Sequence, residues 1–307
     1  MGTMHSTRFS RWARSDISVP AFISSTLATH EQVDELLPQS TNCWNPFLEE
    51  AKHLWKQKTD QEQSAFPSGK SQEDWDMPLC NARQKHLLSS ATSMAEQARL
   101  RAVSEKGASD WLNAMPITSL GLKLSDPLLR IACGLRLGSP LCQTHTCICG
   151  EKVYPDGRHG LSCKNSAGRH SRHNNINDLI QRAFGQASIS AILEPPGLSR
   201  SDGKRPDGMT IFPYKHGKDL VWDVTVVDTF AASYVHNTSK KAGWAAEEAE
   251  KRKEAKYTDL ERQGHIFVPI AIETMGSWGA RGFKLIQDLG SKISRRTGET
   301  QSTAYLL

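Results

Sequence analysis

Four metal-ligand side chains within seventeen residues constrain this chain more tightly than any other feature. The stretch "CICGEKVYPDGRHGLSC" carries Cys147, Cys149, His159 and Cys163 in the spacing C-x-C-x9-H-x3-C, with Gly150, Gly157 and Gly160 freeing tight turns between them. Three thiolates and one imidazole match a closed, tetrahedral structural zinc site with no open position. Cys142 or His145 stands near enough in sequence to replace one ligand. Free loop cysteines are the plainer alternative, but such thiols usually prefer burial among apolar neighbours. The total of seven cysteines is odd. Their clustering with a histidine predicts a reducing, intracellular setting, nuclear or cytoplasmic, rather than a disulfide framework. The metal's expected task is folding stability and a nucleic-acid contact, not catalysis.

Hydrophobic periodicity after this cluster predicts a small α/β domain over 166–307. A helix from about 174 to 184 places Ile176, Leu179, Ile180, Ala183 and Phe184 on one stripe. Strands follow at "ISAILEP" (189–195), "MTIFPY" (209–214) and "DLVWDVTVVD" (219–228). A highly charged helix over 244–263, capped by Gly264, precedes "HIFVPIAIE", which is apolar on both faces as a central strand would be. A last helix carries Phe283, Ile286 and Ile293. Upstream, residues 142–165 form the metal knuckle and 81–141 a helical segment. There, 81–104 reads as one helix, and a second starts at a Ser125 cap with Pro127 in its first turn and Gly134 as its end. Residues 1–80 are polar, and "KQKTDQEQSAFPSGKSQEDWD" reads as linker or disorder.

No apolar run is long enough to span a bilayer, and the N-terminal stretch lacks a signal-peptide core, so no membrane role is expected. Gly2 and Ser6 fit a loose myristoylation pattern, taken as coincidence.

Asp207, Asp223 and Asp228 stand beside apolar runs, and a buried carboxylate needs a cation, a partner or a proton. Strand alternation puts Asp223 and Thr225 on one face and Asp228 on the other. Asp207 precedes the neighbouring strand, and Glu194 ends the one before it. If those strands are adjacent, Glu194, Asp207 and Asp223 converge and can hold Mg²⁺ or Mn²⁺, which activates water against phosphorus. Strand-end ion pairs with Lys204, Arg205 or Lys218 are the alternative. From Lys164 to Arg205 there are seven Lys/Arg against three acids, a difference of four out of the formal net charge of +5. So concentrated a basic segment suits a phosphate backbone, DNA or alternatively RNA, although a solvated basic face has the same composition. Within it, Arg169, His170, Arg172 and His173 precede the helix that Asn174 would cap, where they either grip a phosphate or form a polar loop.

"RPDG" (205–208), then "DVT" (223–225), resembles the PD-(D/E)XK nuclease pattern, whose core is helix, three strands, helix, strand. More specifically, "CICG…GRHGLSC…GRHSRHNNINDLIQRAF…KRPDGMT…LVWDVTVVDT…AEKRKEAKY…FVPIAIETMGSWG" is similar to the C-terminal region of reverse-transcriptase-type open reading frames. These belong to metazoan non-LTR retrotransposons with a restriction-enzyme-like endonuclease preceded by a zinc knuckle. With the upstream "ASDWLNAMPITSLGLKLSDPLLRIACGLRLGSPLC", the resemblance covers roughly 70–307. It implies a Mg²⁺-dependent DNA endonuclease with Asp207 and Asp223 on the metal and Glu194 as a third acid. Arg169, His170, Arg172, His173, Lys204 and Arg205 would then contact DNA. Thr225 stands where that class has its lysine, so Lys251, Lys253 or Lys256 from the charged helix would have to serve instead, with Lys240 and Lys241 nearer in sequence. The alternatives are a catalytically silent, zinc-stabilised nucleic-acid-binding module and, more remotely, a protein-interaction module. Self-association is left open. The chain has no paired-aspartate polymerase signature, so no reverse transcriptase site is expected in it.

Overall fold

The computed structural model describes residues 27, 46–59, 71–112, 114, 116–118, 123–166, 168–198, 203 and 205–306. The chain divides into two compact units, Met1–Ser90 and Ala91–Leu307.

In the first unit, helices α1 (Pro46–Thr59) and α2 (Gln72–Ser90) bury Trp55 and Trp75 together with Leu27, Ala51 and Leu79. The two indoles meet edge to face at 5.5 Å, and Trp55 Nε1 donates to the Trp75 carbonyl at 3.1 Å. The reading of 56–76 as linker or disorder is therefore corrected for 56–59 and 72–76, which are helical, because paired tryptophans bury enough area to order otherwise polar helices.

The expected single helix over 81–104 is two. Ser89 and Ser90 turn their hydroxyls back onto the carbonyls of His86 and Leu87, which competes with helix continuation. Ser93 then opens α3 (Met94–Val103), its Oγ accepting from the Glu96 N–H at 3.2 Å. Helix α4 (Asp126–Leu137) runs through Gly134, where a Cβ would lie 2.3 Å from a Leu141 methyl, and ends instead at left-handed Gly138. A two-residue ribbon, β1 (His145–Thr146) with β2 (Lys152–Val153), and the short α5 (His159–Ser162) build the cysteine-rich loop.

The helix expected from 174 begins earlier, at α6 (Gly168–Gln186). Asn174 is therefore interior rather than a cap, and Arg172 and His173 lie on the helix rather than ahead of it. Then come β3 (Ala191–Leu193), β4 (Gly208–Thr210), β5 (Leu220–Val227), α7 (Val235–Thr238), α8 (Trp244–Lys256), α9 (Thr258–Arg262), β6 (Ile266–Glu273), α10 (Ala280–Thr297) and α11 (Ser302–Leu306). The charged helix expected over 244–263 breaks at Tyr257, which is buried against Phe267.

The sheet order is β3-β4-β5-β6, with β5 and β6 parallel and the other pairs antiparallel. One face of β5 (Leu220, Trp222, Val224) packs on Ile180 and Phe184 of α6 and on Leu285, Ile286 and Leu289 of α10. The other face sets Val221 against Tyr257, Leu260 and Phe267, and Val227 against Ala246 and Ala249 of α8. Asp223 shares that second face by alternation, so it looks toward α8. Gly208 is required where it stands: a Cβ there would fall 2.0 Å from the Trp222 ring, which passes beneath the start of β4.

Two acids fix helix starts from inside the core. Glu273 accepts from the Ala245 N–H at 2.9 Å at the head of α8, and Glu250 accepts from the Gly282 N–H at 2.9 Å at the head of α10. Burial pushes the Glu273 carboxyl up, outweighing the backbone donors that pull it down. A raised folded-state value means the folded chain binds more protons than the unfolded chain just above the usual carboxylate range. Stability contributed by this group is therefore lost as pH rises through that window. Glu273→Gln keeps one acceptor and removes the titration. Urea unfolding at pH 5 and pH 7.5 is expected to favour the variant increasingly at the higher pH, by at most about 1.4 kcal/mol per pH unit inside the window. An unchanged difference between the two pH values would show that Glu273 is not held protonated.

Candidate functional site

Two clusters of chemistry-bearing side chains stand out in the second unit. In the first, one ligand atom each from Cys147, Cys149, His159 and Cys163 lies within 4.8 Å of the others. Cys147 and Cys163 sulfurs are 3.7 Å apart, and Cys149 Sγ is 3.3 Å from His159 Nε2. Two thiolates bound tetrahedrally at about 2.3 Å from zinc would stand about 3.8 Å apart, so the cluster could hold a metal ion such as zinc. The turn is set by the Gly150 N–H donating to the Cys147 carbonyl at 2.8 Å and by left-handed backbone at Gly150 and Gly157. The Cys149 N–H, then the His159 ring, hold the Cys147 thiol down to about 6, which favours the thiolate that binds metal. Cys142 and His145 take no part: the thiol faces the Tyr154 carbonyl, and the imidazole contacts the Gln143 carbonyl.

The second cluster gathers where β4 and β5 begin to part. Asp207 precedes β4 by one residue, and its Oδ2 accepts from the Val224 N–H at 2.6 Å while lying 3.0 Å from His173 Nε2. Burial pushes this carboxyl up, but the His173 and Val224 hydrogen bonds outweigh it and hold it below the usual carboxylate range. The Asp207 hydrogen bond in turn raises His173, against burial. Asp223 is nearly buried on the α8 face, and Lys253 Nζ reaches it at 2.5 Å.

Behind His173, the buried Asn177 accepts on Oδ1 from the Trp222 indole at 3.0 Å. An indole N–H can only donate, so the Asn177 amide nitrogen must face the His173 and Asp207 side, 3.5 Å from His173 Nδ1. As a donor, the amide supports the aspartate, whose carboxyl it helps to hold down.

Among the lysines expected to serve Asp223, the structure brings in one. Lys251 pairs with Glu248 at the surface, and Lys256 packs on the Tyr257 ring and bonds its hydroxyl. Lys240 contacts His236, and Lys241 pairs with Glu247. Glu194 does not join the carboxylates: it sits in left-handed backbone and pairs with Arg205, its side chain 66% exposed. What it shares with Asp207 is backbone, its N–H donating to the Asp207 carbonyl at 2.7 Å. Arg172 is bound to the Gly168 and Leu161 carbonyls, which ties α6 to the cysteine-rich loop. Lys204 and the side chains of Arg169 and His170 lie outside the described residues.

Sequence reasoning placed His173 among backbone-gripping residues, and the structure turns it onto Asp207. Asn177 was missed, although its position one helical turn after His173 was an available signal. Among the described residues no helix is long and apolar enough to cross a membrane. No family model matches the chain, and no curated protein matches it in sequence.

Proposed function

We propose that the second unit is a metal-dependent DNA endonuclease of the PD-(D/E)XK kind, of retrotransposon origin, carrying a structural zinc knuckle. The observation that carries this reading is that Asp207, just ahead of β4, bonds the Val224 N–H next to Asp223 on β5, while Lys253 from the helix packed across β5 pairs with Asp223. It is supported by the order α6, β3, β4, β5, α8, β6 and its mixed sheet, the layout this nuclease class uses.

The donor set suits a hard cation. Two carboxylates on adjoining strands, each with one oxygen already engaged, leave oxygen ligands for Mg²⁺ or Mn²⁺ with room for water. When bound, such an ion supplies Lewis-acid stabilisation of the phosphate and an activated water. Zinc belongs to the sulfur-rich cluster. His173 and the Val224 N–H hold Asp207 in one orientation. Lys253 offsets the charge of Asp223 in the resting site and offers an ammonium to the phosphate oxygens as negative charge builds there. Thr225, where the class usually has its lysine, leaves that position to Lys253, which approaches the same face of β5 from α8.

A silent nucleic-acid-binding module is the competing reading, and it is motivated by Thr225. Metal binding separates the two. Electron paramagnetic resonance of Mn²⁺ titrated into the zinc-loaded protein is expected to show one bound ion, lost in Asp207→Asn and in Asp223→Asn. Salt-sensitive DNA binding without any Mn²⁺ site would leave only the binding module.

A further inference from the structure

Beside the carboxylates lies a polar cavity of about 530 Å³ that the proposed cleavage chemistry does not use. One wall comes from the exit of the cysteine-rich loop, with Leu161, Ser162, Lys164 and Ser166, and another from Arg172 and His173 of α6. The opposite side is the end of β5, with Thr225, Val226 and Asp228. His173 therefore has its ring shared between this cavity and Asp207.

The walls are braced. Arg172 bonds the Leu161 carbonyl, and the Arg158 guanidinium lies 4.8 Å over the Phe230 ring just past β5, which ties the loop to the strand end. The volume is within the range of about 300–1,000 Å³ in which single small ligands bind. Its chemistry is divided. Lys164 is exposed at the rim, Leu161 and Val226 present apolar surface, and half-buried Asp228 supplies a carboxylate.

Asp228 carries the specificity argument. Its Oδ1 accepts from the Phe230 N–H and the Thr274 hydroxyl, both at 3.1 Å, which fixes the carboxylate in place. Its Oδ2 has no protein partner among the described residues. A fixed carboxylate oxygen repels phosphate and accepts hydrogen bonds, so among the groups on the major-groove edge of a base it favours an exocyclic amine. Cytosine presents such an amine flanked by an acceptor, whereas thymine presents a carbonyl at the same place.

We propose that this cavity is a nucleotide subsite, taking one unstacked nucleotide next to the cleaved phosphodiester, with Lys164 on its phosphate and Asp228 reading an exocyclic amine. The place beside a cleaved phosphodiester rests on the endonuclease reading, whereas the recognition itself does not depend on cleavage. The cysteine-rich loop thereby takes part in substrate selection, because it supplies Lys164.

The test is fluorescence anisotropy with labelled single-stranded hexanucleotides in Ca²⁺ buffer, which leaves zinc in place. Oligo-dC is expected to bind about tenfold more tightly than oligo-dT, the effect of one hydrogen bond to a charged acceptor. Oligonucleotides of N4,N4-dimethylcytosine, which lack the donor, should bind like oligo-dT. Asp228→Asn should level dC and dT, while Lys164→Ala should weaken both by a similar factor and keep their ratio. The methylated ligand needs no protein variant, so misfolding cannot imitate it. Equal binding of oligo-dC and oligo-dT by the unaltered protein, binding of neither, or a dC preference that survives both dimethylation and Asp228→Asn would overturn the proposal. Discrimination without plasmid nicking would keep this subsite and remove the endonuclease reading. Nicking without discrimination would do the reverse.

Discussion

Lys253→Met is expected to slow metal-dependent nicking by about 10²–10³, the usual cost of removing one donor aimed at developing negative charge. DNA affinity measured in Ca²⁺ should change by no more than about threefold, since a surface of many phosphate contacts barely registers one lost charge. Methionine retains the stem that packs along α8, so the variant tests the ammonium rather than the packing. It does leave the nearly buried Asp223 without its cation. Melting temperature should therefore fall without divalent metal and recover when Mg²⁺ is added, because an unpaired buried carboxylate is costly. Lys251→Met serves as the control: its ammonium is engaged with Glu248 at the surface, and nicking should be close to that of the unaltered protein. Thr225 shares a strand face with Asp223, so Thr225→Lys in the Lys253→Met background should restore part of the lost rate. Full nicking by Lys253→Met would move the lysine's role elsewhere.

Removing zinc should have the second largest effect. Cys163 is the buried member of the cluster, and α6, which carries His173, begins five residues after it. Arg172 bonds the Leu161 carbonyl inside the cysteine-rich loop, so order in the loop supports the start of α6. Cys163→Ser should bind zinc far below the one ion per chain expected of the unaltered protein by elemental analysis. Small metal-clamped loops owe most of their folding energy to the ion. A loss of about 2–3 kcal/mol would lower the melting temperature by roughly 5–10 °C in a unit of this size. Nicking should fall as well, through His173 and Asp207 rather than through any direct role of zinc. A variant that keeps stoichiometric zinc would return Cys142 or His145 to consideration as a ligand.

Several of these features were legible in the sequence because they are local. The cysteine and histidine spacing fits within one loop, and the stripe of α6 and the alternation of β5 are periodic. Alternation alone was enough to assign Asp223 to a strand face. Side-chain convergence across elements was harder to read. Lys251, Lys253 and Lys256 on α8, with Lys240 and Lys241 ahead of it, were chemically equal candidates, and only packing of α8 on the Asp223 face selects Lys253. Glu194 looked equivalent to the other acids, but left-handed backbone at the end of β3 turns it to Arg205. The start of α6, residues 168–173, was missed because it is rich in His and Arg, whose pattern reads as loop; contact with the cysteine-rich loop overrides that weak local preference. The polar N-terminal region concealed two helices, since tryptophans twenty residues apart in sequence signal nothing until they meet.

The central claim is that Asp207 and Asp223 hold the ion that cuts DNA. The most direct measurement is nicking of supercoiled plasmid by the zinc-loaded protein, in Mg²⁺ and in Ca²⁺, beside Asp207→Asn and Asp223→Asn. Open-circle product is expected in Mg²⁺ alone, with its loss in both variants while DNA binding in Ca²⁺ persists. Binding without nicking by the unaltered protein in Mg²⁺ or Mn²⁺, or nicking that survives both substitutions, would contradict it.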